Sequence, residues 1–195
     1  MPRITTQTQG AVQDAKKHII AIARQFFSEY SYLGASMNDI ARKLNITKAA
    51  LYYHFAGKAE IYKKVLDEVF ADLSQTISSV LKETTVERKL LQLIKSYIDF
   101  GAKEKNLIKA LMLKLSPQDS QITDHIAALR ERVVNLIQPV IEEAVTHKKL
   151  IKKVDSRNLA SLLTSMMDGL LLEYSFFNRK IDSEKIANLI MSALF

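Results

Sequence analysis

The chain has 195 residues, with 28 Lys/Arg against 21 Asp/Glu, a net charge of +7, and no cysteine. The missing thiols exclude disulfides, thiolate metal sites and thiol redox sensing, while the basic balance suits a polyanion partner. No apolar run approaches the roughly 18 residues of a membrane span, and the N-terminus carries no signal-peptide core, so the expectation is a soluble cytoplasmic protein.

Three prolines and five glycines are few. With helical periodicity through most of the chain, they predict an all-α fold. The positive excess is denser at the front, ten Lys/Arg against six Asp/Glu in residues 1–70 and eighteen against fifteen in 71–195. Met1 to Gly10 is a polar arm whose Arg3 either reaches a groove or phosphate or simply frays. From about Ala11, Val12, Ala15, Ile19, Ile22 and Phe26 recur at helical spacing and predict an amphipathic helix to about Tyr30. Lys16 and Lys17 near its start face either a phosphate or solvent.

Ser36 to Lys58 predicts two short helices joined by a tight turn. Ser36 caps the first, with Asp39 favouring its positive end, and Ile40, Ala41 and Leu44 form its buried face. Asn45 sits where the chain must turn and tolerates the left-handed conformation; Ile46 is expected to plug that turn into the core. Thr47 caps a second helix, Lys48 to about His54, whose Leu51 and Phe55 face inward. Its opposite face carries Ala49, Ala50 and Tyr53, with Tyr52 and His54 on the flanks and Lys48 at the exposed end. The pattern is a helix-turn-helix: the alanines permit close approach to base edges, and the lysine and phenols suit phosphate oxygens. An ordinary helical hairpin with exposed tyrosines is the alternative.

The run I-A-x-x-L-N-I-T-K-A-A-L-Y-Y-H-F-x-G-K, from Ile40 to Lys58, resembles the recognition segment of the TetR family of bacterial transcriptional regulators. The likeness extends back through Phe26-Phe27-Ser28-Glu29-Tyr30-Ser31-Tyr32 and covers about residues 13–72. Two departures, Asn45 for a turn glycine and Ser31 where a glycine often ends the first helix, imply backbone strain. The candidate DNA-facing set is Ser36, Asn38, Thr47, Lys48, Ala49, Ala50, Tyr52, Tyr53, His54 and Lys58.

Gly57 marks the next boundary, so residues 1–57 are read as a three-helix DNA-binding domain and 58–195 as a helical ligand-binding and dimerisation domain. Lys58 opens a helix through Ile61, Tyr62, Val65, Leu66, Val69, Phe70 and Leu73 to about Leu81, a link between the two. Thr84-Thr85-Val86-Glu87 reads as a capping box before a helix with Leu90, Leu91, Ile94, Ile98 and Phe100. A short helix, Leu107 to Leu115, is stopped by Ser116-Pro117, which starts another carrying Ile122, Ile126, Leu129, Val133, Leu136 and Val140. Pro139 should kink it. A basic loop with Lys148, Lys149, Lys152 and Lys153 leads to Asp155, the cap of a helix to Phe177, and Asp182-Ser183 begins the last. The total is about nine helices.

No catalytic constellation assembles. His18, His54, His125 and His147 lack metal-ligand spacing, and there is no Gly-rich phosphate loop or G-x-S-x-G elbow. The expectation is no enzyme, no metal and no cofactor, with Asp168 and Glu173 as buried acids or ion-pair partners. The resemblance implies an inducer pocket in the second domain; Tyr97, Phe100, Met112, Met166, Met167 and Tyr174 are its candidate lining, or ordinary core. Leu159, Leu163, Met166, Gly169, Leu170, Phe177, Ile186 and Ile190 make the late helices apolar on more than one side, a candidate homodimer interface. The expected function is a ligand-responsive dimeric repressor on double-stranded operator DNA, released by a small apolar or amphipathic effector. The alternatives are an activator, an effector-independent regulator, or a helical adaptor that does not bind DNA.

Overall fold

The structure is a computed structural model that describes residues 6–113, 120–147 and 154–195. Among them are nine helices and no strand: α1 (Thr6–Gly34), α2 (Met37–Lys43), α3 (Lys48–His54), α4 (Lys58–Val80), α5 (Val86–Lys103), α6 (Lys105–Leu113), α7 (Ser120–Thr146), α8 (Ser156–Phe177) and α9 (Ser183–Leu194). Local caps set many of the ends. Asp155 accepts from the Asn158 N–H at 2.7 Å and Asp182 from that of Lys185 at 3.0 Å. The cap of α5 is Thr85, accepting from the Arg88 N–H at 3.3 Å, one residue later than the expected box. Arg3, Ser116-Pro117 and the lysines at 148, 149, 152 and 153 lie outside the described residues. The helical assignment of α7 runs through Pro139.

Two apolar cores organise these helices. The first gathers Ile19, Ile20, Ala23 and Phe27 of α1 with Ile40, Leu51, Phe55 and the Ile61–Leu66 end of α4, so it continues past Gly57. Leu107 of α6 and Ile122 of α7 insert into it, each about 1% exposed. Phe27 meets Tyr62 edge-on at 4.7 Å between ring centroids. The second core is formed by the later part of α4 with α5, α7, α8 and α9.

Helix α1 departs from expectation in two ways, and its packing against both α4 and α6 explains the second. It is longer than the 11–30 read from its periodicity, and its buried face is rotated: Ile20, Ala23 and Phe27 are buried while Ile22 and Phe26 are half-buried. A helix with neighbours on two sides buries a wider arc than a single stripe marks.

Ser31 interrupts α1 at φ 61°, ψ 174°, a region that only glycine occupies comfortably. Its hydroxyl is buried without a hydrogen-bond partner among the described residues. Ser31→Gly removes both the Cβ strain and the unsatisfied oxygen, and should raise stability to urea unfolding by about 1 kcal/mol. An unchanged or lowered unfolding free energy would show that the site is not strained.

Candidate nucleic-acid interface and effector cavity

The turn between α2 and α3 is built from backbone bonds. The Ile46 N–H reaches the Ala41 carbonyl at 3.0 Å and the Asn45 N–H that of Arg42 at 3.1 Å. Asn45 between them is left-handed at φ 53°, the Schellman closure of a helix C-terminus. Ile46 does not plug this turn: it is 36% exposed. Ser36 accepts from the Asp39 N–H at 3.2 Å and Thr47 from the Ala50 N–H at 3.1 Å, so both caps hold as read.

With Leu51 and Phe55 anchored in the core, α3 turns Lys48, Ala49, Tyr52 and Tyr53 to solvent, and Tyr53 is 78% exposed. The Lys48 Nζ lies 5.9 Å from the Tyr52 ring centroid. Ser36, Asn38 and Thr47 are exposed alongside, while Ala50 and His54 are half-buried. Lys16 of α1 brings its ammonium within 5.5 Å of the Phe55 ring centroid, placing a further exposed cation at the end of α3.

Lys58 does something else. Its ammonium donates to the carbonyls of Tyr32 at 2.7 Å and Ala35 at 3.0 Å and sits 4.3 Å from the Tyr32 ring centroid. It ties the start of α4 to the end of α1, where carbonyls lack helical partners. It is therefore a strut beneath the helix-turn-helix, not a cation held out towards a phosphate.

A cavity of about 270 Å³ lies where the two cores meet. Leu66, Val69, Ile126 and Leu129 on one side belong to or pack on the first core; Leu73, Tyr97, Val133 and Leu171 on the other belong to the second. Phe70, Phe100 and Ile108 complete the apolar wall. Of the candidate lining, Tyr97 and Phe100 are there. Helix α8 presents Thr164, Asp168 and Leu171 instead of its methionines. Met167 is buried in the second core, Met166 is exposed, and Tyr174 lies a turn beyond. The side chain of Met112 lies outside the described residues. The contributions of α4 and α7 were not expected, since a cavity wall and a core have the same apolar periodicity.

One corner of the cavity is polar. The Tyr97 hydroxyl donates to Asp168 Oδ1 at 2.6 Å, and Arg130 donates to Oδ2 at 2.8 Å and to the Ser165 hydroxyl at 2.6 Å. Burial lifts the Asp168 carboxyl above its ordinary range, against the pull of those two bonds. Glu173, by contrast, is exposed, with Arg179 at 3.7 Å.

On the late helices, Met166, Gly169 and Phe177 are exposed and Leu159, Leu170 and Ile186 half-buried. Leu163 and Ile190 are buried within the chain's own core, which removes them from any surface. Leu162, Phe176 and Leu189 are further exposed apolar residues of the same region. A Cβ on Gly169 would meet nothing within 4 Å.

A capped helix-turn-helix seated on a helical bundle with an apolar cavity defines a DNA-binding regulator. Residues 19–65 match the family model of bacterial regulatory proteins of the tetR family. The chain is 30% identical over 150 residues to the biofilm operon icaADBC negative transcriptional regulator IcaR of Staphylococcus aureus, covering 75% of this chain and 78% of that one. It is 25% identical over 181 residues to the transcriptional repressor DhaR of Mycobacterium sp., covering 92% and 91%. Its fold matches the fatty acid degradation regulator FadR of Bacillus halodurans with a TM-score of 0.79 at 19% identity, covering 91% and 92%. The chain belongs to the TetR family of transcriptional regulators. Among the described residues no helix is long and apolar enough to cross a membrane.

Lys58→Met keeps the aliphatic stem and removes the ammonium. Loss of two charge-assisted bonds should lower stability by about 2 kcal/mol, read by urea unfolding, with the salt dependence of DNA binding unchanged. Normal stability with a shallower salt slope would return Lys58 to the phosphate-contacting set.

Proposed function

We propose that the protein is a cytoplasmic, homodimeric repressor that holds operator DNA through Lys48, Ala49, Tyr52 and Tyr53 of α3, and releases it when a small apolar or amphipathic molecule enters the cavity. In this reading residues 1–57 are the DNA-binding domain and 58–195 carry effector and dimer contacts. The observation that carries it is the position of the cavity. Leu66 belongs both to the core beneath α3 and to the cavity wall, so a ligand that prefers one packing of the wall biases the helix-turn-helix. The relatives named as repressors or negative regulators support the direction of control.

The exposed face of α8 and α9 supports the dimer. Leu162, Phe177 and Leu189 are 62%, 65% and 70% exposed, and large apolar side chains left in solvent on these two helices are what a partner surface would cover. A two-fold contact there sets two recognition helices one DNA turn apart. Sedimentation should show a wild-type dimer, and Gly169→Leu or Leu162→Glu should give helical monomers that no longer bind DNA. A monomeric wild type, or dimers in both variants, would contradict this surface.

DNA contact is tested on an operator selected from a random duplex library. Lys48→Ala should weaken binding and lower the log–log salt slope by about one unit, since one fewer phosphate is neutralised. Wild-type affinity and slope would remove α3 from the interface.

A further inference from the structure

The polar corner of the cavity pairs its charges internally, Arg130 with Asp168. Thr164 donates its hydroxyl to the Ala160 carbonyl at 2.8 Å, within its own helix. The rest of the lining apart from Tyr97, Arg130 and Asp168 is apolar. Asp168 and Arg130 face each other across α8 and α7 at 2.8 Å, one negative and one positive. A guanidinium has five N–H donors and a carboxylate about four acceptor sites; the bonds described use two of each. Unspent donor and acceptor capacity therefore stand side by side, with no net charge between them.

We infer that the effector is an uncharged molecule of roughly eleven non-hydrogen atoms, an apolar body with one hydroxyl or amide read jointly by Arg130 and Asp168. This rests on the cavity being the effector site. The size is that of the part seated in the half-open cavity: a dry cavity of about 150 Å³ holds benzene, and this one is about 270 Å³. The charge follows from the corner. A hydroxyl or primary amide donates to the carboxylate and accepts from the guanidinium, leaving the pair neutral. A carboxylate head would satisfy Arg130 but set a second negative charge beside Asp168. An ammonium head would satisfy Asp168 but set a second positive charge beside Arg130. The Arg130 and Asp168 side chains are 37% and 32% exposed, so solvent softens an excess charge there, but the apolar wall that makes up most of the lining still makes either one costly.

The test is calorimetric titration of the full chain at neutral pH with 1-decanol, decanamide, decanoate and decylammonium, which share a tail and nearly share a size. The alcohol and amide should bind at least about tenfold tighter than the two ions. Asp168→Asn leaves Arg130 uncompensated and should move decanoate ahead of decanol; Arg130→Met leaves Asp168 uncompensated and should move decylammonium ahead. Circular dichroism establishes which variants fold, either folded variant tests the reversal, and the wild-type ranking stands without them. Binding of either ion to the wild type as tightly as decanol, or no reversal in a folded variant, overturns the headgroup inference and leaves the effector site in place. Binding by none of the four overturns both.

Discussion

Two helices of seven residues each are too short to persist alone, since isolated helices below about 12–15 residues are marginal in water. Their order has to come from burial. Ile40, Leu51 and Phe55 supply part of it from within, and Phe27 and Tyr62 extend it along α1 and α4. Leu107 and Ile122 finish it from α6 and α7. Each such aliphatic burial stabilises by about 1.5–3 kcal/mol, so the recognition helix depends on the bundle for a material share of its rigidity.

That dependence runs in both directions through adjacent residues. Leu107 fills the first core while its neighbour Ile108 lines the cavity; Ile122 fills the core while Ile126, one turn on, lines the cavity. Arg24 adds a polar tie, reaching from α1 to Asp72 of α4 at 2.8 Å and to Glu104 beyond α5 at 2.7 Å. These pairs are partly exposed and contribute modestly; their value is geometric, since they fix α1 against two elements of the bundle. A ligand that moves α6 or α7 to fit the cavity must repack the wall of the DNA-binding core, because packed interiors shift between discrete arrangements.

The legible parts of this molecule are those decided within a few residues. Ser36, Thr47, Asp155 and Asp182 cap helices by bonding an N–H three positions on, and Asn45 turns left-handed because the helix it follows needs that closure. The illegible parts depend on partners far along the chain. Lys58 reads as a free cation until its ammonium meets carbonyls 26 and 23 residues away. Leu163 and Ile190 read as surface because a stripe does not say which neighbour covers it. The cavity was hidden for a related reason: Leu66, Val69, Ile126 and Leu129 repeat as core residues do, and periodicity cannot register the space they leave.

In the proposed function, cavity and recognition helix share one packing equilibrium. The most direct test is the affinity of 1-decanol for the free protein and for the protein saturated with its selected operator. Linkage requires the two effects to be reciprocal: decanol should bind the operator complex more weakly, by the same factor by which decanol weakens operator binding. Equal decanol affinity in the presence and absence of DNA would contradict the account.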